Sequence, residues 1–308
     1  MNDRQINQWL RRQFTVIGWV LLGYHVIMTW LAGLSASWSL LGQALGFPGQ
    51  DPSGNSWGYV LAVAVGLTVL HSWKGTDYLT RELTVKNRPM TLGAAAALVS
   101  LCMGAQLANS LWVSALETGM NVFGKSLMPM LESVSGASGT VSMFLYASIL
   151  APISEEILFR GYVLRSLQPY GKRFAILFSA LLFGFFHGNL LQMPYAWIVG
   201  LVLGYIAVEY SIFWSISLHI FNNLVLADGL SRLLNQLPEP VAGMVNLLIF
   251  GGFALAAIVL LVKNRHAIGA YRRENWLDRR CVRCFFTNSG ILILLILMAL
   301  SMLSLFFL

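Results

Sequence analysis

Apolar residues in this chain gather in long runs rather than in narrow stripes or alternating strands, and such runs recur from one end to the other. A helix needs roughly 20 apolar residues to cross a hydrocarbon core of about 30 Å. The pattern predicts nine membrane helices, at 14–34, 58–73, 91–113, 141–166, 174–190, 194–209, 212–227, 243–262 and 289–308, the second of them short. The first run is too long for the apolar stretch of a removable signal peptide, and no small-residue cleavage site follows it, so it reads as the first membrane helix. The expected fold is all-α: a polytopic transmembrane bundle of eight or nine spans enclosing an intramembrane polar cavity. Residues 1–308 form one membrane domain, with no repeat of 20 to 50 residues and no linker dividing it.

Composition agrees with this pattern. Hydrophobic residues make up 57% of the chain and charged residues 11%, and the mean hydropathy is +0.68, far from a soluble globular domain. Charge placement then orients the spans, because Lys and Arg collect on the cytoplasmic side. With the N-terminus inside, segments 1–13, 73–90, 160–173 and 263–283 carry 18 of the 20 basic residues, leaving Lys125 and Arg232 outside them. Facing anionic lipid headgroups, these residues explain the net charge of +7 without any nucleic acid. Segments 35–57, with Pro48 and Pro52, and 114–140, ending in SVSGASG, read as outer connections, with 120–133 lying along the membrane surface. Cys281 and Cys284, in the basic segment 263–288, read as plain thiols, since one CVRC element is half of a zinc ribbon.

Ionisable side chains in lipid are costly unless paired or hydrated. They concentrate in the fourth, fifth and seventh spans as Glu155, Glu156, Arg160, His187, His219, Asn222 and Asn223. Glu156 and Arg160, four apart, form a favourable helical ion pair. Glu155, turned by about 100° from Glu156, is left for proton transfer. Burial as a lone carboxylate favours its protonated form and suits a general base near neutral pH. Loop 168–173 folds the fourth and fifth spans into an antiparallel hairpin that sets Glu155 and His187 at similar depth, where together they can bind and activate a water. His219 and Asn223 are also four apart and share a face, a donor pair suited to an oxyanion, whereas Asn222 is expected to point elsewhere. Each element alone has a plainer reading as a packing hydrogen bond or structural ion pair.

The three elements resemble the motifs E-E-x-x-x-R (Glu155 to Arg160), F-x-x-x-H (Phe183 to His187) and H-x-x-x-N (His219 to Asn223) of the CAAX-protease and bacteriocin-processing family of intramembrane endopeptidases, which includes the Rce1-like prenyl-protein endopeptidases. The resemblance covers a catalytic core at 141–227; the basic segment 263–288 and an extra helix at 289–308 lie outside it. It implies a conical cavity open to the cytosol, in which Glu155 is the general base, His187 its partner, and His219 with Asn223 the oxyanion stabilisers, Glu156 and Arg160 being structural support. The cofactor is none or zinc; in the second case Glu155, His187 and His219 are the ligands. The implied partners are the lipid bilayer and a peptide or membrane-protein substrate, including a prenylated tail among the candidates, and the implied location is a bacterial plasma membrane. A non-catalytic scaffold that regulates a sensor kinase or confers bacteriocin immunity is the alternative, and has no evident reason to keep four costly polar groups. A transporter would be expected to show inverted repeats and broken helices, which the sequence lacks.

Overall fold

The computed structural model describes residues 2–45, 56–75, 85–128, 131 and 140–304, and among these every regular element is a helix. In chain order they are α1 (Asp3–Ala44), α2 (Trp57–Lys74), α3 (Leu92–Val122), α4 (Val141–Tyr170), α5 (Lys172–Phe186) and α6 (Met193–Glu209). α7 starts as Ile212–Phe221 and continues through a π-helical stretch, Asn222–Gly229, into Leu230–Leu234. It is followed by α8 (Glu239–Lys263), α9 (Arg265–Glu274), α10 (Arg279–Phe286) and α11 (Ser289–Ser304).

Each of the nine expected spans overlaps a described helix, but the helices differ in reach. Length and composition qualify four described helices to cross a membrane: α1 over Asp3–Gly42, α3, α4 and α8. The α10–α11 pair, bent by 60°, adds a fifth if taken as one span. α5 has 15 residues. At about 1.5 Å per residue it is roughly 22 Å long, short of a hydrocarbon core. Apolar runs reveal where helices lie, but not where a turn cuts one short.

Two expected connections are partly helical. α1 continues to Ala44 through much of the segment placed in an outer loop from residue 35, and α3 continues to Val122 past the boundary at 113. No proline interrupts either extension, and helix propagates cheaply once nucleated. Pro48, Pro52, the SVSGASG run and residues 129, 130, 132 and 133 of the segment 120–133 lie outside the described residues. The basic segment 263–288 is two short helices, α9 and α10, rather than a bare loop.

Capping side chains start several helices. Thr91 accepts from the Ala94 amide at the head of α3, and Ser211 from the Trp214 amide at the head of α7. α4 turns into α5 at Gly171, whose φ of +115° disfavours a side chain. Within α4 a π-helical turn, Tyr146–Leu150, ends two residues before Pro152. Proline brings no N–H to the ladder there, and the helix widens.

The core is aromatic. Phe14, Tyr170, Phe174, Phe178 and Phe285 form a connected set of ring contacts joining α1, α4, α5 and α10. α11, which the motifs left unmapped, packs on α1 and α5. Phe14 meets Phe285, and further on Gly18 meets Gly290, so α1 and α10–α11 run in the same sense. A Cβ on Gly18 would lie 2.4 Å from the Gly290 carbonyl carbon, so the backbones touch. α5 lies along α6 with similar economy: a Cβ on Gly184 would be 3.0 Å from the Met193 carbonyl oxygen.

Candidate active site

α4, α5, α6 and α7 bring the motif residues together. The α4–α5 hairpin has the register anticipated from its loop: Phe159 contacts Phe183 edge-on at 5.1 Å between ring centroids. One turn back on α4 is Glu155, and one turn onward is His187, at the end of α5.

Glu156 is fully buried, and three groups converge on it. Arg160 Nε lies 3.2 Å from Oε2, as an ion contact rather than an aligned hydrogen bond. The same guanidinium donates through Nη2 to the Gly200 carbonyl (3.2 Å), and its centre lies 4.4 Å from the Phe183 ring. Ser215 Oγ has one proton for two acceptors, Glu156 Oε2 and the Leu203 carbonyl. His219 completes the set, with Nδ1 3.0 Å from Glu156 Oε1.

This geometry changes the roles expected of the two glutamates. The expected pairing of Glu156 with Arg160 is present, but Glu156 also holds His219. Glu155 is not the buried lone carboxylate anticipated. Its side chain is 30% exposed, and its Oε2 lies 3.8 Å from Nε2 of His219, in electrostatic contact but too far for a good hydrogen bond. Consecutive helix positions face different directions, so Glu156 took the buried face and Glu155 the more open one.

His187 is part-buried, with Nδ1 2.9 Å from the Phe183 carbonyl. A carbonyl only accepts, so a proton sits on Nδ1, and in the neutral ring Nε2 is the acceptor. Among the described residues Glu155 makes its ion contact with His219 and none with His187, and the water expected between Glu155 and His187 asks for no direct contact.

On α7, Asn223 donates from Nδ2 to the Ala147 carbonyl (3.1 Å), within the π-helical turn of α4. Its Oδ1 accepts from Asn222 Nδ2 (3.2 Å), and Asn222 Oδ1 accepts from the Tyr195 hydroxyl of α6 (2.7 Å). The expectation that Asn222 points elsewhere is therefore wrong. It is buried, because α7 widens at this residue and both asparagines turn inward. Tyr195 and Ser215 carried no sequence signal beyond being polar groups within apolar runs. Tyr24 of α1 also approaches this region, near Ser154 and within electrostatic range of Glu155.

A zinc ion would depend on the donors Glu155, His187 and His219. Among the described residues no three His, Cys, Asp or Glu side chains converge as a metal-binding group. His219 presents one nitrogen to Glu156, His187 presents one to a carbonyl, and Glu155, His187 and His219 do not form a ligand set as arranged.

Residues 137–225 match the model of a family described as Type II CAAX prenyl endopeptidase Rce1-like. This is the family that the motifs resemble, and the match contains Glu155, Glu156, Arg160, His187, His219 and Asn223 while covering less than a third of the chain. None of the curated proteins and none of the solved structures compared with the chain matches it. The matched family consists of membrane-embedded peptidases acting on peptide or protein substrates.

Proposed function

We propose that the chain is an intramembrane endopeptidase in which Glu155 acts on water and His219 with Asn223 receives the developing oxyanion. The single observation that carries this reading is the position of His219, with one ring nitrogen on buried Glu156 and the other facing the more open carboxylate of Glu155. Glu155 removes a proton from water as the oxygen attacks the carbonyl carbon of the scissile peptide. Negative charge then develops on the carbonyl oxygen. As an imidazolium, His219 donates Nδ1–H to Glu156 and Nε2–H to that oxygen, joined by the Asn223 N–H not used by Ala147. Glu155 returns its proton to the leaving amine as the C–N bond breaks. His187, with Nε2 free to accept, helps to hold the water. Helices too short to qualify alone complete the bundle around the site, and the N-terminus lies in the cytoplasm of a bacterial cell, a topology supported by the basic segments.

The deciding experiment is cleavage of quenched-fluorescent peptides, with farnesylated tails among them, by the purified protein and by Glu155→Gln, each with and without a zinc chelator. Cleavage by the wild type that is lost in the variant and unaffected by the chelator is expected. Loss of cleavage on chelation would move the mechanism to a metal. A folded wild type that cleaves nothing would favour the non-catalytic scaffold.

A further inference from the structure

Away from the intramembrane site, positive charge is concentrated where α5 meets α9. Arg173 of α5 and Gly269, Arg272 and Arg273 of α9 line an open pocket of about 360 Å³. Among the described residues none of these three guanidiniums has a protein carboxylate or carbonyl as partner. Three clustered like charges repel one another, and an anion seated among them relieves that cost.

The walls of the pocket are tied together. Lys172 Nζ and the Tyr271 hydroxyl, sequence neighbours of Arg173 and Arg272, both bond to Oε1 of Glu209, at 3.0 and 3.1 Å. Arg88 takes the other oxygen. Burial, with the Glu209 carboxylate beside it, holds the Tyr271 phenol above its ordinary pKa and keeps it a donor. Glu209 clamps α9 to the start of α5, and with three donors already on it, it is not available to neutralise the pocket arginines.

The height of the pocket on the molecule narrows the choice of ligand. α4 qualifies as a membrane span up to Tyr170, just before α5, and α8 up to Lys263, just before α9. Both walls therefore start where a candidate span ends, at the level of lipid headgroups. Trp276, 67% exposed just after α9, is a side chain typical of that zone. We propose that this pocket binds the phosphate of an anionic membrane lipid, with Arg173, Arg272 and Arg273 donating to its oxygens. The small Gly269 keeps the floor open: a Cβ there would come 3.5 Å from Arg273 Nη1.

The test is native mass spectrometry and thermal unfolding of the full chain in detergent, with phosphatidylglycerol or phosphatidylcholine added. Phosphatidylglycerol is expected to be retained and to raise the melting temperature. Retention should fall roughly tenfold or more in R272Q/R273Q, at about 1 kcal/mol per arginine. Gly269→Leu, which fills the floor without changing charge, should weaken retention as well. The control R279Q/R283Q removes the same charge from exposed positions of α10 outside the pocket, and should retain lipid to within about twofold of wild type. Circular dichroism confirms that each variant is folded. Equal losses in the control and pocket variants would reduce the effect to diffuse surface charge and overturn the proposal, as would full retention in R272Q/R273Q. Protection by inorganic phosphate, with no preference between the two lipids, would assign the pocket to a soluble anion and overturn the lipid.

Discussion

His219 is held with Nδ1 3.0 Å from Oε1 of Glu156, a carboxylate with no exposed surface. A histidine from α7 is thereby joined to the ion pair that Glu156 makes with Arg160 on α4, and this contact sets the ring so that Nε2 looks toward Glu155.

Removing the Glu156 charge should be felt mainly as lost stability. Glu156→Gln leaves the fully buried Arg160 without its anion, and breaking one side of a buried pair costs about 3–5 kcal/mol. Thermal unfolding in lipid nanodiscs should show a melting temperature lower by several degrees, with a similar fall for Arg160→Ala. An unchanged midpoint in both would mean that the pair is hydrated in the membrane.

Glu155→Gln should separate chemistry from folding. The side chain is 30% exposed and its contact with His219 is loose, so the melting temperature should stay close to that of wild type. Turnover should drop by about 10²-fold or more, the usual contribution of a positioned acid–base group. Retained activity would take Glu155 out of the mechanism.

Tyr195→Phe tests the chain of bonds from Tyr195 through Asn222 to Asn223. Losing the hydroxyl frees Asn222 to flip, so Asn223 is held with Nδ2 as its donor only through the Ala147 carbonyl. One hydrogen bond is worth about 0.5–1.5 kcal/mol, which predicts a fall in kcat of roughly two- to tenfold with KM little changed. In a double-mutant cycle, Tyr195→Phe should add little to Asn223→Ala. Additive losses would show that the hydroxyl acts elsewhere.

Two glycines on α1 make a matched pair. Gly18→Ala drives a Cβ into the Gly290 backbone and should lower the melting temperature by separating α11 from α1. Gly23 has open space around its Cβ position, and Gly23→Ala should leave stability unchanged or raise it by about 0.5–1 kcal/mol through helix propensity. The same response from both would mean that α11 does not pack on α1 through these residues.

Relationships local to one helix or one hairpin were determined by the sequence itself. A spacing of four along one helix puts Arg160 within reach of Glu156, and a short loop around Gly171 sets the register of Glu155 against His187. These follow from covalent spacing. Contacts between distant elements were decided only by the tertiary structure: His219 with Glu156 rather than with a substrate alone, Tyr195 with Asn222, Glu209 with Arg88, Lys172 and Tyr271, and Gly18 against Gly290. A helix that is apolar on nearly all sides carries little pattern to say which face meets which neighbour, and the π-helical widening that turns Asn222 inward has no signature in residue type. Close packing among the helices settled both: where the glycine backbones touch and the helices close on one another, Glu156 and Asn222 reach His219 and Tyr195 on neighbouring elements.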